Sequence, residues 1–192
     1  MNGLALTLVV WAALGLELSL RRVLALGDGG IAPSFVACVV AWMAVFLPAK
    51  QARWWALGVG LVLDLLSPLP LSGGFAGHAA GPWALGLLAA NEIVLALRPM
   101  VMRRSPVAFG FLAAVVGASA GLVVVCVMVL RGALFDDLAW SPAREAWVRI
   151  ASSLYTGVVG LLLSFGLLPL ADLIGIAPAS PLISGRAARN MQ

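Results

Sequence analysis

Residues 107–130 read VAFGFLAAVVGASAGLVVVCVMVL, a stretch of 24 residues without a charged side chain. Residues 150–171 form a second charge-free stretch. Each is long enough to span a membrane, because a helix needs roughly 20 residues, at ~1.5 Å of rise each, to cross the hydrocarbon layer. The whole chain of 192 residues is 62% hydrophobic and only 10% charged, whereas about a quarter of the residues in a soluble domain are charged. The sequence therefore predicts an integral membrane protein without a large soluble domain.

Six helices are predicted from charge-free length and from the positions of breaker residues. They lie at about 3–20, 33–48, 54–67, 79–98, 107–130 and 148–170. The third helix is expected to break between Asp64 and Pro70, because proline cannot continue a helix. We therefore predict an all-α membrane protein with a single domain of six transmembrane helices, residues 1–170, followed by a short cytoplasmic tail at residues 171–192.

The distribution of basic residues predicts the orientation of these helices. An even number of spans places both termini on one side, and seven of the twelve Lys and Arg residues lie on that side. Cytoplasmic loops carry the excess of Lys and Arg, so both termini are predicted to be cytoplasmic. Arg21 and Arg22 oppose this bias, but Glu17 can pair with Arg21 on one helical face and extend the first helix into the headgroups. The five basic residues on the opposite side are Arg21, Arg22, Arg131, Arg144 and Arg149.

Several tryptophans lie near the ends of predicted spans, where an aromatic belt would place them. They are interpreted as interface anchors rather than as binding residues. The set is Trp54, Trp55, Trp83, Trp140 and Trp147.

Charged residues inside apolar spans are the first candidates for a special role, because each costs about 2.5–3.5 kcal/mol at a helix centre unless it finds a partner or water. Three acidic residues qualify: Glu17, Asp64 and Glu92. Asp64 precedes the predicted break, so its carboxylate and Ser67 are expected to bond backbone groups that the break frees. Coordination of an ion or substrate by Asp64 is the alternative.

Glu92 and its neighbour Asn91 lie about two turns before the basic end of the fourth helix at Arg98. Glu92 can pair with an arginine, or Asn91 can hydrogen-bond a neighbouring helix. A proton-coupled role for Glu92 is the alternative. Small residues in the spans predict close helix packing, and those singled out are Gly58, Gly60, Gly86, Gly110, Gly117 and Gly121.

The sequence offers no pattern for catalysis or for a cofactor. His78 is the only histidine, so a multi-histidine metal site is excluded, and Cys38 and Cys126 lie inside predicted spans as small apolar residues. The chain has no P-loop, HExxH or GxSxG motif. Its basic residues stand at the ends of apolar runs, which is typical of topology signals and not of a nucleic-acid surface. We therefore expect a membrane protein that is not an enzyme and that binds no cofactor, metal or nucleic acid.

Residues 58–74, GVGLVLDLLSPLPLSGG, resemble a motif of the MreD family of rod-shape-determining membrane proteins. That motif runs from an apolar helix through Gly-x-x-x-Asp-x-x-Ser into a Pro-Leu-Gly turn, and a second apolar helix follows that ends in arginines. Pro68 and Ser72 depart from this pattern. The matching positions are Gly60, Asp64, Ser67, Pro70, Leu71 and Gly73, and the arginines are Arg98, Arg103 and Arg104.

The resemblance implies a noncatalytic subunit of the cell-elongation complex, which directs rod shape and peptidoglycan synthesis at the bacterial cytoplasmic membrane. It implies binding to MreC within the bilayer and, through MreC, a link to MreB and to the peptidoglycan polymerase and transpeptidase. MreD proteins are also similar in fold to the substrate-binding subunits of energy-coupling-factor vitamin transporters, so the alternative function is a small-molecule binding or transport subunit. Such a subunit needs a pocket of a few hundred Å³ with convergent polar groups. The sequence favours a scaffold, because few polar side chains are expected near the extracellular loops.

Overall fold

The structure is a computed structural model, and it describes residues 3–27, 30–67, 69–70, 76–77, 80–100, 105–134 and 141–173. Six helices account for most of these residues, and the all-helical class is as predicted. They are α1 (Gly3–Leu20), α2 (Phe35–Phe46), α3 (Ala49–Leu66), α4 (Pro82–Leu97), α5 (Pro106–Leu134) and α6 (Pro142–Leu173). The expectations for Leu71, Gly73, His78, Trp140 and the tail beyond residue 173 lie outside the described residues.

The third helix ends at the predicted place. α3 stops at Leu66, and Ser67 follows it with an extended backbone. Two short strands, β1 (Leu69–Pro70) and β2 (Ala76–Gly77), then pair antiparallel before α4 begins. Pro70, one of the motif residues, therefore lies in the connection and not in a helix.

The centre of the molecule is α2. Each of its residues from Phe35 to Phe46 is buried, and all five other helices contact it. A helix that is apolar on every side has no face that prefers water, so burial at the centre is the arrangement expected from its sequence. By contrast, α1 packs mainly on α2 and leaves its outer face exposed.

The helices differ in length, and this difference bears on how they meet a membrane. Three of them, α1, α5 and α6, are long and apolar enough to cross one. With 12 and 16 residues, α2 and α4 measure only ~18 and ~24 Å, less than the ~30 Å hydrocarbon layer. The structure thus confirms six helices, three of which have both the length and the apolar composition of a span; that all six cross a membrane stays a prediction.

The glycines of α5 face α6 at close range. A Cβ atom on Gly110 would lie 2.7 Å from the carbonyl oxygen of Gly157, and one on Gly117 would lie 3.2 Å from Ser153 Cβ. On the other side, a Cβ on Gly86 of α4 would lie 2.8 Å from the carbonyl oxygen of Ala120. The predicted close packing is confirmed at these positions, and it occurs within the chain, so these faces are already occupied.

Candidate functional site

Asp64 caps the N-terminus of α4. Its side chain is buried, with Asp64 only 2% exposed, and it accepts hydrogen bonds from three backbone N–H groups. Oδ1 accepts from Trp83 at 2.8 Å, and Oδ2 accepts from Gly81 at 2.8 Å and from Ala84 at 3.2 Å. The first N–H groups of a helix have no partner within it, so the carboxylate satisfies donors that would otherwise be buried without one.

This arrangement refines what the sequence predicts for Asp64. A carboxylate was expected to bond backbone freed by the break, and it does so, but at the start of α4 and not at the end of α3. The physical reason is the polarity of helix ends: the end of α3 presents carbonyl oxygens, which cannot donate to a carboxylate, while the start of α4 presents N–H groups and the positive end of the helix dipole.

Gly60 brings α3 and α4 together one turn before Asp64. A Cβ atom at this position would collide with Ala84 Cα and would lie 2.8 Å from the carbonyl oxygen of Trp83. Both neighbours are backbone atoms, which cannot move aside as a flexible side chain would. The spacing of four residues places Gly60 and Asp64 on one face of α3, so the two motif residues form a single junction with α4, which we call the α3–α4 junction.

Replacing Gly60 with alanine is expected to destabilise the protein, by about 1–3 kcal/mol, because the added methyl group overpacks the junction. The close packing predicted for Gly58 is wrong, because a Cβ there would meet no atom within 4 Å. Gly58 lies in the same helix and is therefore the matched control. Gly58→Ala should leave stability unchanged or raise it slightly, since alanine favours a helix over glycine. Thermal unfolding of the two variants in detergent measures the difference, and equal melting temperatures would contradict the junction.

Glu17 caps the N-terminus of α2. It is 8% exposed, and its Oε2 accepts from the N–H of Phe35 at 2.7 Å and of Val36 at 3.3 Å. Ser34 completes the cap by accepting from the N–H of Ala37 at 3.1 Å. The expected pairing of Glu17 with Arg21 is therefore corrected: the hydrogen bonds of the carboxylate go to α2, whose first N–H groups are buried.

The opposite end of α2 is held by a cation. Arg98 Nη1 donates a hydrogen bond to the carbonyl oxygen of Leu47 at 2.9 Å, just after the last turn of α2. A negative charge at the N-terminus and a positive charge at the C-terminus both match the helix dipole. The central helix thus receives a charged partner at each end.

Glu92 pairs with an arginine, which was one of the alternatives for it. Arg53 Nε lies 2.6 Å from Oε1, and Arg53 Nη2 lies 2.9 Å from Oε2, so the contact joins α3 to α4 through two hydrogen bonds. Both side chains are about half exposed. Asn91 is fully buried, and its amide has no hydrogen-bond partner within the described part of the chain, so the alternative contact through Asn91 does not form there.

A polar cavity of about 80 Å³ lies where all six helices approach one another at one end of the bundle. It adjoins both capped helix starts, because Ser34 and Trp83 lie along its wall. Its charged and polar lining corrects the expectation that few polar side chains gather on this side. Prominent among the lining residues are Glu17, Arg21, Trp83, Glu145, Arg149 and Thr156.

Arg149 is the principal group in this cavity that sequence reasoning missed. Its Nη2 lies 2.8 Å from Glu145 Oε1, and its Cζ lies 5.0 Å from the centre of the Trp83 ring. The sequence analysis counts Arg149 among the basic residues of one side, at the start of the sixth helix, and Trp83 among the residues of the aromatic belt. Because α6 begins at Pro142 and not near residue 148, Arg149 lies about two turns inside the helix and reaches inward to the Trp83 ring. The four-residue spacing of Glu145 and Arg149 is the signal that indicates a helix there.

Gly121 of α5 makes room for the arginine. A Cβ atom on Gly121 would lie 3.1 Å from Arg149 Cβ and 3.2 Å from Arg149 Cδ. The aliphatic part of Arg149 therefore lies directly on the α5 backbone.

Two other tryptophans of the predicted aromatic belt are exposed. Trp54 and Trp147 are each 67% exposed, as expected for interface anchors.

The site and fold together describe an all-helical protein with three helices able to cross a membrane. Among its described residues, no group of three or more His, Cys, Asp or Glu side chains is arranged to hold a metal ion. Comparison with known proteins adds no relative: no family model, no curated protein and no solved structure matches the chain.

Proposed function

We propose that this chain is a noncatalytic membrane scaffold of the bacterial cell-elongation complex, similar to MreD, and that it binds MreC within the cytoplasmic membrane. The observation that supports this proposal is the α3–α4 junction. Two residues of the motif that resembles MreD, Gly60 and Asp64, have a structural task that needs neither substrate nor reaction. The motif therefore serves to build a membrane fold, which is what a scaffold requires.

The outer face of α1 is our candidate surface for the MreC helix. The glycine faces of α5 are filled by α6 and α4, whereas α1 packs mainly on α2. Its exposed residues recur every three or four positions, and a Cβ on Gly15 would meet no atom within 4 Å. Such a stripe admits a second helix at short range. Its large members are Leu4, Leu8, Trp11 and Leu18.

The alternative function, a small-molecule subunit of an energy-coupling-factor-type transporter, requires a larger pocket. Sites for such ligands usually measure about 300–1,000 Å³. The cavity beside Arg149 measures about 80 Å³, which is too small to enclose a vitamin. This cavity, formed by described residues, therefore gives no support to the alternative function.

We further propose that all six helices lie in the bilayer with both termini in the cytoplasm. Single cysteines, introduced after Cys38 and Cys126 are replaced, test this topology. Cysteines at positions 30 and 137 should react with an impermeant reagent in intact cells, and those at 51 and 188 only after permeabilisation. The basis is the even helix count and the excess of basic residues on the terminal side. Labelling of position 188 in intact cells would refute this orientation.

Depletion of the protein in its host tests the function. We expect cells to round or widen and wall synthesis to lose its normal location, without a requirement for any vitamin. Purification from native membranes should recover MreC and no ATPase module. Growth rescue by a single nutrient with unchanged cell shape, or recovery of an ATPase instead of MreC, would favour the transport subunit.

Site-specific crosslinking tests the partner surface. A photoreactive residue at Leu8 or Trp11 should crosslink to MreC in living cells. Phe111 on α5 is the matched control, because its side chain is also large, apolar and exposed. Crosslinks from Phe111 and none from Leu8 or Trp11 would show that MreC contacts α5 and not α1.

A further inference from the structure

We propose that the polar cavity binds a compact oxyanion, a phosphate or carboxylate group, through Arg149 together with Arg21. This site is independent of the scaffold function, which needs only the helix faces.

Four acceptor groups in the wall each make at least one contact within the protein. Glu17 accepts from the first N–H groups of α2, and Glu145 pairs with Arg149. The hydroxyl oxygen of Thr156 accepts from the N–H of Ser34 at 2.9 Å, and that of Ser152 accepts from the N–H of Ala32 at 3.3 Å. The cavity therefore holds its own acidic and hydroxyl groups in fixed contacts.

A donor remains. Arg149 Nε is buried and has no hydrogen-bond partner within the described part of the chain. A guanidinium group is always charged and presents Nε and an Nη atom as a fork that matches two oxygens of a carboxylate or phosphate. A buried donor without a partner is unfavourable, so an acceptor that reaches Nε gains a bond that the described residues do not supply. The group without a partner is a cationic hydrogen-bond donor, so the ligand that matches it is an anion.

The guanidinium group of Arg149 is also held in place before any ligand arrives. The Trp83 ring covers one side of it at 5.0 Å, and the N–H of Trp83 is bound to Asp64. Gly121 supports the aliphatic part of the side chain. Preorganisation of this kind lowers the entropy lost on binding, and it links the cavity to the α3–α4 junction.

The size of the cavity limits the ligand. A cavity of about 80 Å³ has room for a compact group such as one phosphate or carboxylate, because a single water needs only about 10–15 Å³ of probe-occupied space. Arg21 lines the same space from α1 and adds a second positive charge. The oxyanion can belong to a lipid headgroup, with its chains outside the cavity, or to a free anion.

The test uses the full chain, purified in detergent and stripped of lipid. Thermal unfolding and native mass spectrometry are recorded with sodium phosphate, sodium acetate, phosphatidylglycerol or diacylglycerol, with sodium chloride at matched ionic strength as the reference. We expect a phosphate-bearing or carboxylate-bearing probe to raise the melting temperature by several degrees and to form a one-to-one adduct. Stabilisation by phosphate or acetate identifies a free anion, and stabilisation by phosphatidylglycerol alone identifies a lipid headgroup.

Variants assign the effect to the cavity. Arg149→Gln should raise the probe concentration needed for half of the stabilisation at least tenfold. Arg149→Lys should raise it by less, because lysine keeps the charge without the fork. Arg21→Gln provides a second variant in case Arg149→Gln does not fold. Arg144→Gln is the matched control, since Arg144 is exposed on the same helix. No response to any anion, an equal response to diacylglycerol, or equal responses from wild type and the Arg149 and Arg21 variants would overturn the proposal.

Discussion

Asp64→Leu is expected to abolish most of the folded protein. The substitution leaves the N–H groups of Gly81, Trp83 and Ala84 buried without an acceptor, and each unpaired group costs about 1–3 kcal/mol. Asp64→Asn should be milder, because its amide oxygen can still accept while its amide nitrogen cannot. The amount of folded protein should therefore decrease from wild type to Asp64→Asn and from Asp64→Asn to Asp64→Leu. The yield of monodisperse protein in detergent and its melting temperature measure this order.

Glu92 supplies the matched control for Asp64. It is also an acidic residue at the contact of α3 with α4, but its ion pair with Arg53 is about half exposed, and exposed pairs contribute only about 0–1 kcal/mol. Glu92→Leu should thus change stability far less than Asp64→Leu. If both Asp64 variants instead accumulate and assemble normally but lose function equally, the charge of Asp64 acts in function and the capping role does not explain it.

The lengths of the helices explain why acids occur at these depths. If all six helices lie in the bilayer, as proposed, a short helix such as α2 or α4 ends before the hydrocarbon layer does, and its terminal backbone groups cannot rely on water. Glu17 and Asp64 each provide acceptors at such a helix start, and Arg98 provides a donor at a helix end. The acidic residues are then parts of the fold, and their desolvation is offset by charge-assisted hydrogen bonds.

The number and order of the helices could be predicted from the sequence, but their mutual contacts could not. Two starts were also wrong: α3 begins at Ala49 and not near residue 54, and α6 begins at Pro142 and not near residue 148. Charge-free length and prolines locate α1 to α6 because they act within one segment. The partner of Asp64 depends on where the chain returns after Pro70, and a pattern within α3 contains no information on that path. The same holds for Gly121, whose missing side chain matters only because Arg149 of another helix occupies the space. The cavity arises from such contacts between segments, so sequence patterns did not reveal it.

Glu17 allows the two interpretations of an intramembrane acid to be separated. If the carboxylate mainly pairs with Arg21, as sequence spacing suggests, Arg21→Gln should destabilise the protein about as much as a Glu17 substitution. If it mainly caps α2, Glu17→Leu should cost several kcal/mol, about 1–3 for each unpaired N–H of Phe35 and Val36, whereas Glu17→Gln should keep part of the cap. Arg21→Gln should then change stability by less than about 0.5 kcal/mol, as is usual for exposed positions.

Unfolding of these variants in detergent without added anion gives the comparison, because an anion in the cavity would add a contribution from Arg21. Hydrogen exchange at the first amides of α2 provides a local readout. Those amides should exchange faster in Glu17→Leu and remain protected in Arg21→Gln, since only the former loses the acceptor. Equal exchange in the two variants would show that the Glu17–Arg21 charge pair orders this region. Another group would then have to accept hydrogen bonds from the buried N–H groups at the start of α2.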